Sequence, residues 1–167
     1  AYTLPSGGEK IEMLSQSLKA FGDAGYVYVG MDHFALPDDA LAIAKRQGRL
    51  HRNFQGYSTQ PDCDLIGLGV SAIGRIGATY SQNAKTLEDY YDAVERGHFP
   101  VVRGLALTRD DLIRRAVIMA IMCQGEIDYE SINLAWLIDF KDYFARELEM
   151  RGQKEEEGMV RITENGI

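Results

Sequence analysis

Residues 51–60, which read HRNFQGYSTQ, concentrate side chains that can bind a ligand. They combine a histidine, an arginine, amides, hydroxyls and the rings of Phe54 and Tyr57, and they include no aliphatic residue. Such a segment cannot be a core strand or the buried face of a helix, so we predict a long loop. Long loops in compact domains are either functional or disordered, and the aromatic rings argue against disorder. The loop is therefore a candidate binding site.

Asp32 and His33 form a second group of reactive side chains, directly after the apolar run YVYVGM at residues 26–31. A continuous apolar run that follows an amphipathic helix is typical of a buried strand in a parallel sheet. Ligands of parallel α/β folds lie at the carboxyl ends of the strands, which would place these two residues where chemistry occurs. The alternative is that Asp32 caps a turn and His33 is a hydrogen-bonded loop residue, and the sequence does not decide between the two.

The predicted elements around these residues alternate between helix and strand. Ser6 and Glu9 have the spacing of a capping box, so a helix is predicted to begin just after Ser6. A second helix is predicted over residues 37–48, and the apolar run at residues 65–70 is the next predicted parallel strand, which gives a βαβ unit. The glycines between residues 67 and 77 lack the spacing of a phosphate-binding loop. We expect them to let a ligand or another backbone come close.

From residue 108 onward the sequence predicts helices. Thr108 and Asp111 resemble a capping box, the apolar segment that follows would be the centre of a small helical domain, and residues 129–150 contain one or two more helices. Residues 158–162 would begin a strand that an Asn-Gly turn reverses into a hairpin. Helices followed by a hairpin suggest a winged-helix-like layout, but the net charge of −7 disfavours nucleic acid as a partner.

The composition bounds the class of protein and its compartment. Hydrophobic residues are 46% and charged residues 26% of the chain, as in an ordinary globular protein. No apolar run approaches the roughly 20 residues that a membrane span needs, and the first residues do not read as a secretory signal. Cys63 and Cys123 suggest neither a disulfide framework nor a zinc site, so we expect a cytoplasmic location. The chain lacks an initial Met, and we expect it to be a piece of a longer protein.

Three segments closely resemble oxygen-independent coproporphyrinogen III oxidases: GMDHFALPDDALAIAKRQGRLHRNFQGYSTQ (30–60), DLIGLGVSAI (64–73) and RGLALTRDDLIRR (103–115). The resemblance runs essentially from Leu4 to Ile167. That family consists of radical S-adenosylmethionine enzymes of haem biosynthesis. The resemblance implies oxidative decarboxylation of two propionates of coproporphyrinogen III to the vinyl groups of protoporphyrinogen IX, by a 5′-deoxyadenosyl radical and with an unknown electron acceptor.

The resemblance also implies a fold and its division into domains. The implied class is α/β, with residues 1–106 as the last strands and helices of a partial (β/α) radical-SAM barrel. Residues 107–167 would then be an incomplete, mainly α-helical C-terminal domain that ends in a truncated winged-helix-like hairpin. Because a cut barrel exposes sheet edges, we expect this fragment to self-associate, whereas the full-length enzyme is expected to be a monomer.

The implied cofactors are S-adenosyl-L-methionine and a [4Fe–4S] cluster. The family's CxxxCxxC cluster motif is absent from this sequence, and its two cysteines cannot replace that motif. The cluster ligands are therefore expected outside this chain, and the fragment alone is predicted to be inactive and to carry no catalytic residue. This departure from the family pattern limits what the chain can do by itself.

The resemblance assigns Ile73 to a contact with S-adenosylmethionine, and Phe54 and Gln55 to the same pocket, which holds a second S-adenosylmethionine in the family. Chemistry alone suggests further groups. The substrate carries four carboxylates, so Arg52 could bind one of them bidentately and His33 could handle a proton near the reacting centre. Arg103 and Arg109 are more distant candidates for which a solvated surface role is the simpler interpretation.

The alternative function within the same family is a haem-binding chaperone without decarboxylase activity. Such relatives share the barrel and cofactor but lack segments corresponding to GMDHF and HRNFQGYSTQ. The presence of both segments here favours the oxidase.

Overall fold

The computed structural model of the chain describes residues 4–60 and 63–156, with side chains described through residue 150. The chain divides into two compact units, of which the first ends at Pro61 and the second begins at Asp62. The described residues form a mixed α/β structure that contains three small antiparallel sheets and no closed barrel. Within these same ranges no helix has the length and apolar character that a membrane crossing requires.

The first unit consists of two helices and two pairs of short antiparallel strands. Its elements are α1 (Gly7–Asp23), β1 (Val27–Gly30), β2 (His33–Ala35), α2 (Ala40–Arg46), β3 (His51–Asn53) and β4 (Gly56–Ser58). β1 pairs with β2, and β3 pairs with β4. Its small buried core contains Val29, Ala35, Ala42, Ala44 and Leu50.

Helix α1 begins where the predicted capping box places it. Ser6 N donates to Glu9 Oε2 at 2.7 Å, and Glu9 N donates to Ser6 Oγ at 3.3 Å, so this prediction is confirmed. Hydrogen bonds to the Glu9 carboxylate from the Ser6 side chain and from the Ser6 backbone N–H hold the pKa of Glu9 below its usual value. The apolar stripe of α1 contains no buried residue, and its end contacts β2 through Phe21, whose ring stacks on Phe34 at 4.5 Å.

The strand predicted over residues 26–31 is confirmed as β1, but its predicted parallel pairing is wrong among the described residues. β1 reverses after Gly30 and pairs antiparallel with β2, through a turn in which Met31 has a left-handed φ of 50°. An apolar run reports burial and not the direction of the neighbouring strand, so the sequence was compatible with both pairings. Asp32 therefore lies in a tight turn and His33 begins β2.

The predicted loop at residues 51–60 is also wrong, because this segment forms the β3–β4 hairpin. A short two-stranded ribbon is held by backbone hydrogen bonds, so the missing aliphatic side chains do not prevent pairing. Helix α2 begins at Ala40 rather than at Pro37. Asp39 is its N-cap and accepts a hydrogen bond from Leu41 N at 2.8 Å.

The second unit places a three-stranded antiparallel sheet before a series of helices. Its elements are β5 (Ile73–Ile76), β6 (Thr79–Asn83), α3 (Leu87–Glu95), β7 (Val101–Ala106), α4 (Arg109–Gln124), α5 (Tyr129–Trp136), α6 (Phe140–Tyr143) and α7 (Ala145–Glu156). The strand order is β5-β6-β7.

The predicted strand over residues 65–70, and with it the βαβ unit, is wrong. Of these residues only Leu65 pairs, through an isolated antiparallel bridge to Arg75. The side chains of Ile66 and Leu68 are 74% and 84% exposed rather than buried. The physical reason is Gly69, whose φ of +95° turns the chain back before a strand can extend.

The helical part of the second unit agrees with its predicted start. Thr108 N donates to Asp111 Oδ2 at 2.9 Å and Asp111 N donates to Thr108 Oγ1 at 3.2 Å, which confirms the capping box of α4. Through residue 156, where the described part of the chain ends, three helices follow α4 instead of the predicted one or two. Their buried core contains Ile113, Ile127, Tyr129, Phe140 and Phe144. The predicted hairpin after residue 158 lies outside the described residues.

A polar network ties α4 to α6 and α7. Arg114 donates to Asp110 Oδ2 through Nε at 2.8 Å and to Glu147 Oε1 through Nη1 at 2.6 Å. Tyr143 Oη donates to Asp110 Oδ1 at 2.6 Å. The Tyr143 hydroxyl and the Arg114 guanidinium hold the pKa of Asp110 below its usual value, and Arg114 likewise lowers the pKa of Glu147.

This network predicts acid sensitivity of the helical part. A carboxylate whose pKa is lower in the folded than in the unfolded chain stabilises the fold above the unfolded value and loses that effect as the pH falls through the folded value. We therefore expect the urea midpoint to decline below about pH 4, the unfolded pKa range of Asp and Glu. Asp110→Asn should flatten that decline, as measured by urea unfolding at a series of pH values.

The matched control is Asp92→Asn, which removes an exposed ion pair with Arg96 on α3. Exposed pairs of this kind contribute little, so the control should keep the acid decline of the unsubstituted protein. Equal acid profiles for Asp110→Asn and the unsubstituted protein would show that the network does not link these helices.

Candidate functional site

The β3–β4 hairpin places Phe54 and Gln55 at its tip. Its register pairs Arg52 with Tyr57 and Asn53 with Gly56, which leaves Phe54 and Gln55 as the connecting residues. Asn53 Oδ1 accepts a hydrogen bond from Gln55 N at 2.9 Å, and Gly56 has a φ of +130° that a residue with a side chain rarely adopts. The turn therefore projects an aromatic ring that is 56% exposed, together with an exposed amide.

Tyr57 connects this hairpin to the β1–β2 turn. A Cβ atom on Gly30 would lie 2.2 Å from Tyr57 Oη and 2.7 Å from Tyr57 Cζ, so the ring occupies the space of a side chain at Gly30. The His33 ring meets the Tyr57 ring edge-on, with centroids 5.1 Å apart. A Cβ atom on Gly56 would lie 3.0 Å from His33 Nε2. The segments GMDHF and HRNFQGY are thus packed directly against each other.

Asp32 and His33 form a hydrogen-bonded pair at the edge of this cluster. His33 Nδ1 lies 2.8 Å from Asp32 Oδ1, which favours the tautomer that is protonated at Nδ1. The Asp32 side chain is 88% exposed and that of His33 is 36% exposed. This is the hydrogen-bonded arrangement that the simpler interpretation of the sequence predicts, and a contact between His33 and a substrate stays a prediction.

Arg52 is half-buried against Tyr57. Its guanidinium carbon lies 4.8 Å from the centroid of the Tyr57 ring, a cation–π arrangement. Its Nη1 atom is buried and has no hydrogen-bond partner among the residues that the structure describes. Buried donors are normally satisfied, so this nitrogen is available to an acceptor that the described chain does not provide. A carboxylate is the acceptor whose geometry suits a guanidinium best.

Ile73 begins β5 in the second unit and is half-buried. The expected close approach of a backbone at the neighbouring glycines is confirmed at two positions. A Cβ atom on Gly67 would lie 2.9 Å from the carbonyl of Ile73, and one on Gly74 would lie 2.9 Å from Leu65 O. Ile73 therefore stands beside a segment that folds back onto β5.

Arg103 and Arg109, the two more distant candidates, occupy a surface position and a structural hydrogen bond, respectively. Arg103 lies in β7, whose residues are all exposed, and pairs with Gln82 of β6. Arg109 Nη2 donates to Trp136 O, which fixes it to the end of α5. Neither observation indicates a ligand.

The candidate binding residues can be compared with the two expected cofactors, S-adenosylmethionine and the [4Fe–4S] cluster. Phe54, Gln55 and Ile73 supply a ring, an amide and an aliphatic side chain, which fit a pocket for an adenosyl and methionine group. They divide between the two units, so their common pocket stays a prediction. Cys63 is exposed and Cys123 is buried, and the described ranges contain no group of three or more metal-binding side chains. The residues of this chain do not fit a [4Fe–4S] site.

Comparisons with known proteins agree with one another, although no protein-family model matches the chain. The oxygen-independent coproporphyrinogen III oxidase of Escherichia coli K12 is 48% identical over 164 residues, which cover 98% of this chain and 36% of that protein. Proteins of the same name from Synechocystis and Helicobacter pylori are 45% and 41% identical, with the same two coverages. The chain thus spans little more than a third of these relatives.

A solved structure gives the same match. The coproporphyrinogen III oxidase HemN of Escherichia coli, described as a radical SAM enzyme, superimposes with a TM-score of 0.90 at 48% identity. The match covers 98% of this chain and 38% of that chain. At this identity the likeness extends to the sequence as well as to the fold.

The packing of Tyr57 on Gly30 predicts the effect of adding one methyl group. Gly30→Ala would force the methyl into the Tyr57 ring, and overpacking of this kind destabilises by about 1–3 kcal/mol. Gly22→Ala is the control, because nothing lies within 4 Å of its Cβ position and it is in a helix. There alanine should stabilise by about 0.5–1 kcal/mol. Urea unfolding measures both, and equal midpoints for the two variants would refute the close approach.

Proposed function

We propose that this chain, 98% of which aligns with the oxygen-independent coproporphyrinogen III oxidase of Escherichia coli at 48% identity, belongs to that family and is the C-terminal portion of such an enzyme. The full-length protein is proposed to convert two propionates of coproporphyrinogen III to vinyl groups in haem biosynthesis. The match over nearly the whole chain is the observation that carries the proposal. Within the chain, the packing of GMDHF on HRNFQGY supports it.

The proposed architecture assigns a role to each part of the chain. Residues 1–106 would complete the partial (β/α) barrel of the full-length enzyme, with its parallel strands lying in the rest of the protein. Residues 107–167 would form the helical C-terminal domain, which ends in the truncated winged-helix-like hairpin. The helices from α4 onward share a buried core around Ile113, Phe140 and Phe144, which supports a helical character for this part of the chain, although it lies in the same compact unit as β5–β7.

The proposed cofactor contacts are those of Phe54, Gln55 and Ile73 with S-adenosylmethionine. Together with a reduced [4Fe–4S] cluster, this cofactor would supply the 5′-deoxyadenosyl radical. The cluster ligands lie outside this chain, so the fragment is proposed to be inactive by itself. The role of the three residues is to bind and orient: the ring packs on the ligand, the amide donates or accepts a hydrogen bond, and the aliphatic side chain excludes water.

The proposed substrate contact is made by Arg52. Its buried Nη1 lacks a partner among the described residues, and a propionate carboxylate would provide one. His33 is the second proposed substrate contact. Its imidazole lies against Tyr57, so any contact with the substrate would be made from within that cluster. The electron acceptor is left open.

The proposed compartment, oligomeric state and partners follow from the same family assignment. We place the enzyme in the cytoplasm, as a monomer when full-length, with no nucleic acid partner. The isolated fragment would self-associate through its exposed sheet edge. β7 supports this, because all of its residues are exposed and its outer edge pairs with no described strand.

The function is tested by expressing the full-length gene anaerobically in a host that cannot make haem. The host should be one that cannot make haem because it lacks coproporphyrinogen III oxidase activity. Restored growth is then the expected result. Expression of residues 1–167 alone should not restore growth, since the cluster ligands are missing. Failure of the full-length protein to restore growth, with haem binding retained, would replace the oxidase by the haem-binding chaperone.

The role of Arg52 predicts a kinetic effect in the full-length enzyme. Arg52→Ala should lower kcat/KM for coproporphyrinogen III by roughly tenfold to a hundredfold, the loss expected for a charge-assisted hydrogen bond. Arg52→Lys should recover only part of it, because an ammonium group cannot bind a carboxylate bidentately. Anaerobic formation of protoporphyrinogen IX measures the rate.

Arg49→Ala is the matched control for this substitution. Arg49 lies three residues before Arg52, just outside the hairpin, and its guanidinium contacts Gln47 at the surface. It should leave kcat/KM unchanged. A normal kcat/KM for Arg52→Ala would remove the arginine from the substrate site.

A further inference from the structure

The segment before Ile73 forms a folded-back loop that lies against the start of β5. Leu65 and Arg75 close it, with Leu65 N donating to Arg75 O at 2.7 Å and Arg75 N donating to Leu65 O at 2.8 Å. Gly67 and Gly74 leave no room for side chains between the two runs of backbone. The position of Ile73 is therefore coupled to the conformation of residues 66–72.

Asn83, at the end of β6, holds this loop from one side. It is only 7% exposed, and its Nδ2 donates to Gly67 O at 3.0 Å and to Gly69 O at 2.9 Å. Its backbone N donates to Ala72 O at 3.0 Å. One buried residue thus bonds to three carbonyls of a loop more than ten positions earlier in the chain.

Two further hydrogen bonds hold the loop at residues 66–72 in place. Gly69 N donates to Tyr90 Oη at 3.1 Å, and Ser71 N donates to Ala84 O at 2.7 Å. Ser71 has a left-handed φ of 57°, a conformation that persists in a non-glycine residue only when the surrounding contacts enforce it. Because the buried amide of Asn83 donates to two carbonyls of this loop, its removal should loosen the strained conformation at Ser71.

We propose that Asn83 is a positioning residue, whose amide fixes the loop at residues 66–72 so that Ile73 meets S-adenosylmethionine in its binding orientation. The proposal rests on the function proposed above, in which Ile73 contacts this cofactor. Asn83 itself does not touch the ligand. Ile73 pairs with Gln82, the residue before Asn83, so a shift of the loop acts directly on the pair that carries Ile73.

The test compares two asparagine substitutions in the full-length enzyme. Asn83→Ala should raise KM for S-adenosylmethionine by between about fivefold and a hundredfold, the range expected when a binding group is misplaced by about 1 Å or less. The turnover number at saturating S-adenosylmethionine and the iron content should stay near those of the unsubstituted enzyme. Amide hydrogen exchange of a peptide that covers residues 66–73 should become faster, and this readout does not depend on activity.

Asn133→Ala is the matched control. The Asn133 side chain is also part of a partly buried hydrogen bond in the same unit, with Oδ1 accepting from Phe140 N at 2.7 Å, but it holds the start of α6. It should destabilise the protein without changing KM for S-adenosylmethionine or the exchange of residues 66–73. Asn83→Ser retains one donor and should give an intermediate KM, which keeps the test open if Asn83→Ala fails to fold.

The outcomes separate the two proposals. An unsubstituted full-length enzyme without S-adenosylmethionine-dependent turnover would overturn the proposed function, and with it the role of Ile73. An active enzyme whose KM is unchanged by Asn83→Ala and Asn83→Ser would overturn the positioning role alone. An equal rise in KM for Asn133→Ala would also overturn it, because general destabilisation would then explain the effect.

Discussion

The contact between Tyr57 and Gly30 is the constraint on which the first unit depends. The ring of Tyr57 occupies the volume that any side chain at position 30 would need, so the β1–β2 turn and the β3–β4 hairpin fit together only when residue 30 is glycine. This single contact orients His33, which meets the ring edge-on, and Arg52, which lies over the ring. Close packing around the ring limits the positions that these polar side chains can take.

The sequence predicted best what is decided locally. The capping boxes at Ser6 and at Thr108 were confirmed, because a cap requires only a hydroxyl and a carboxylate three residues apart. The strands were predicted poorly, because pairing direction depends on residues that are distant in sequence. The apolar run before Met31 has the composition of a parallel strand, yet a left-handed residue at Met31 turns it into an antiparallel pair.

The sequence predicted which segment carries the candidate site, but it did not predict the contacts between its side chains. Composition alone predicted residues 51–60 as a binding segment, and that role stays a prediction, but it gave no role to the contact between Tyr57 and Gly30. No feature of the sequence indicated Asn83. An asparagine at the end of a polar strand looks the same in sequence whether its amide lies at the surface or is buried and bonded to a loop. A glycine inside an apolar run is the one usable signal, because it suggests close approach of another group. It could not identify that group as the Tyr57 ring.

The chemistry left to this chain is binding and orientation. The Arg52 guanidinium is stacked on a ring and has a buried nitrogen with no partner among the described residues, so it has lost part of its hydration. The lost hydration raises the free energy of the unliganded protein, and only an anion that restores the hydrogen bonds offsets this cost. Under the function proposed above, such a group would discriminate between a propionate carboxylate and a vinyl group, because only the carboxylate can accept a hydrogen bond from Arg52. Arg52 would then bind the propionate of the substrate and lose that contact in the product.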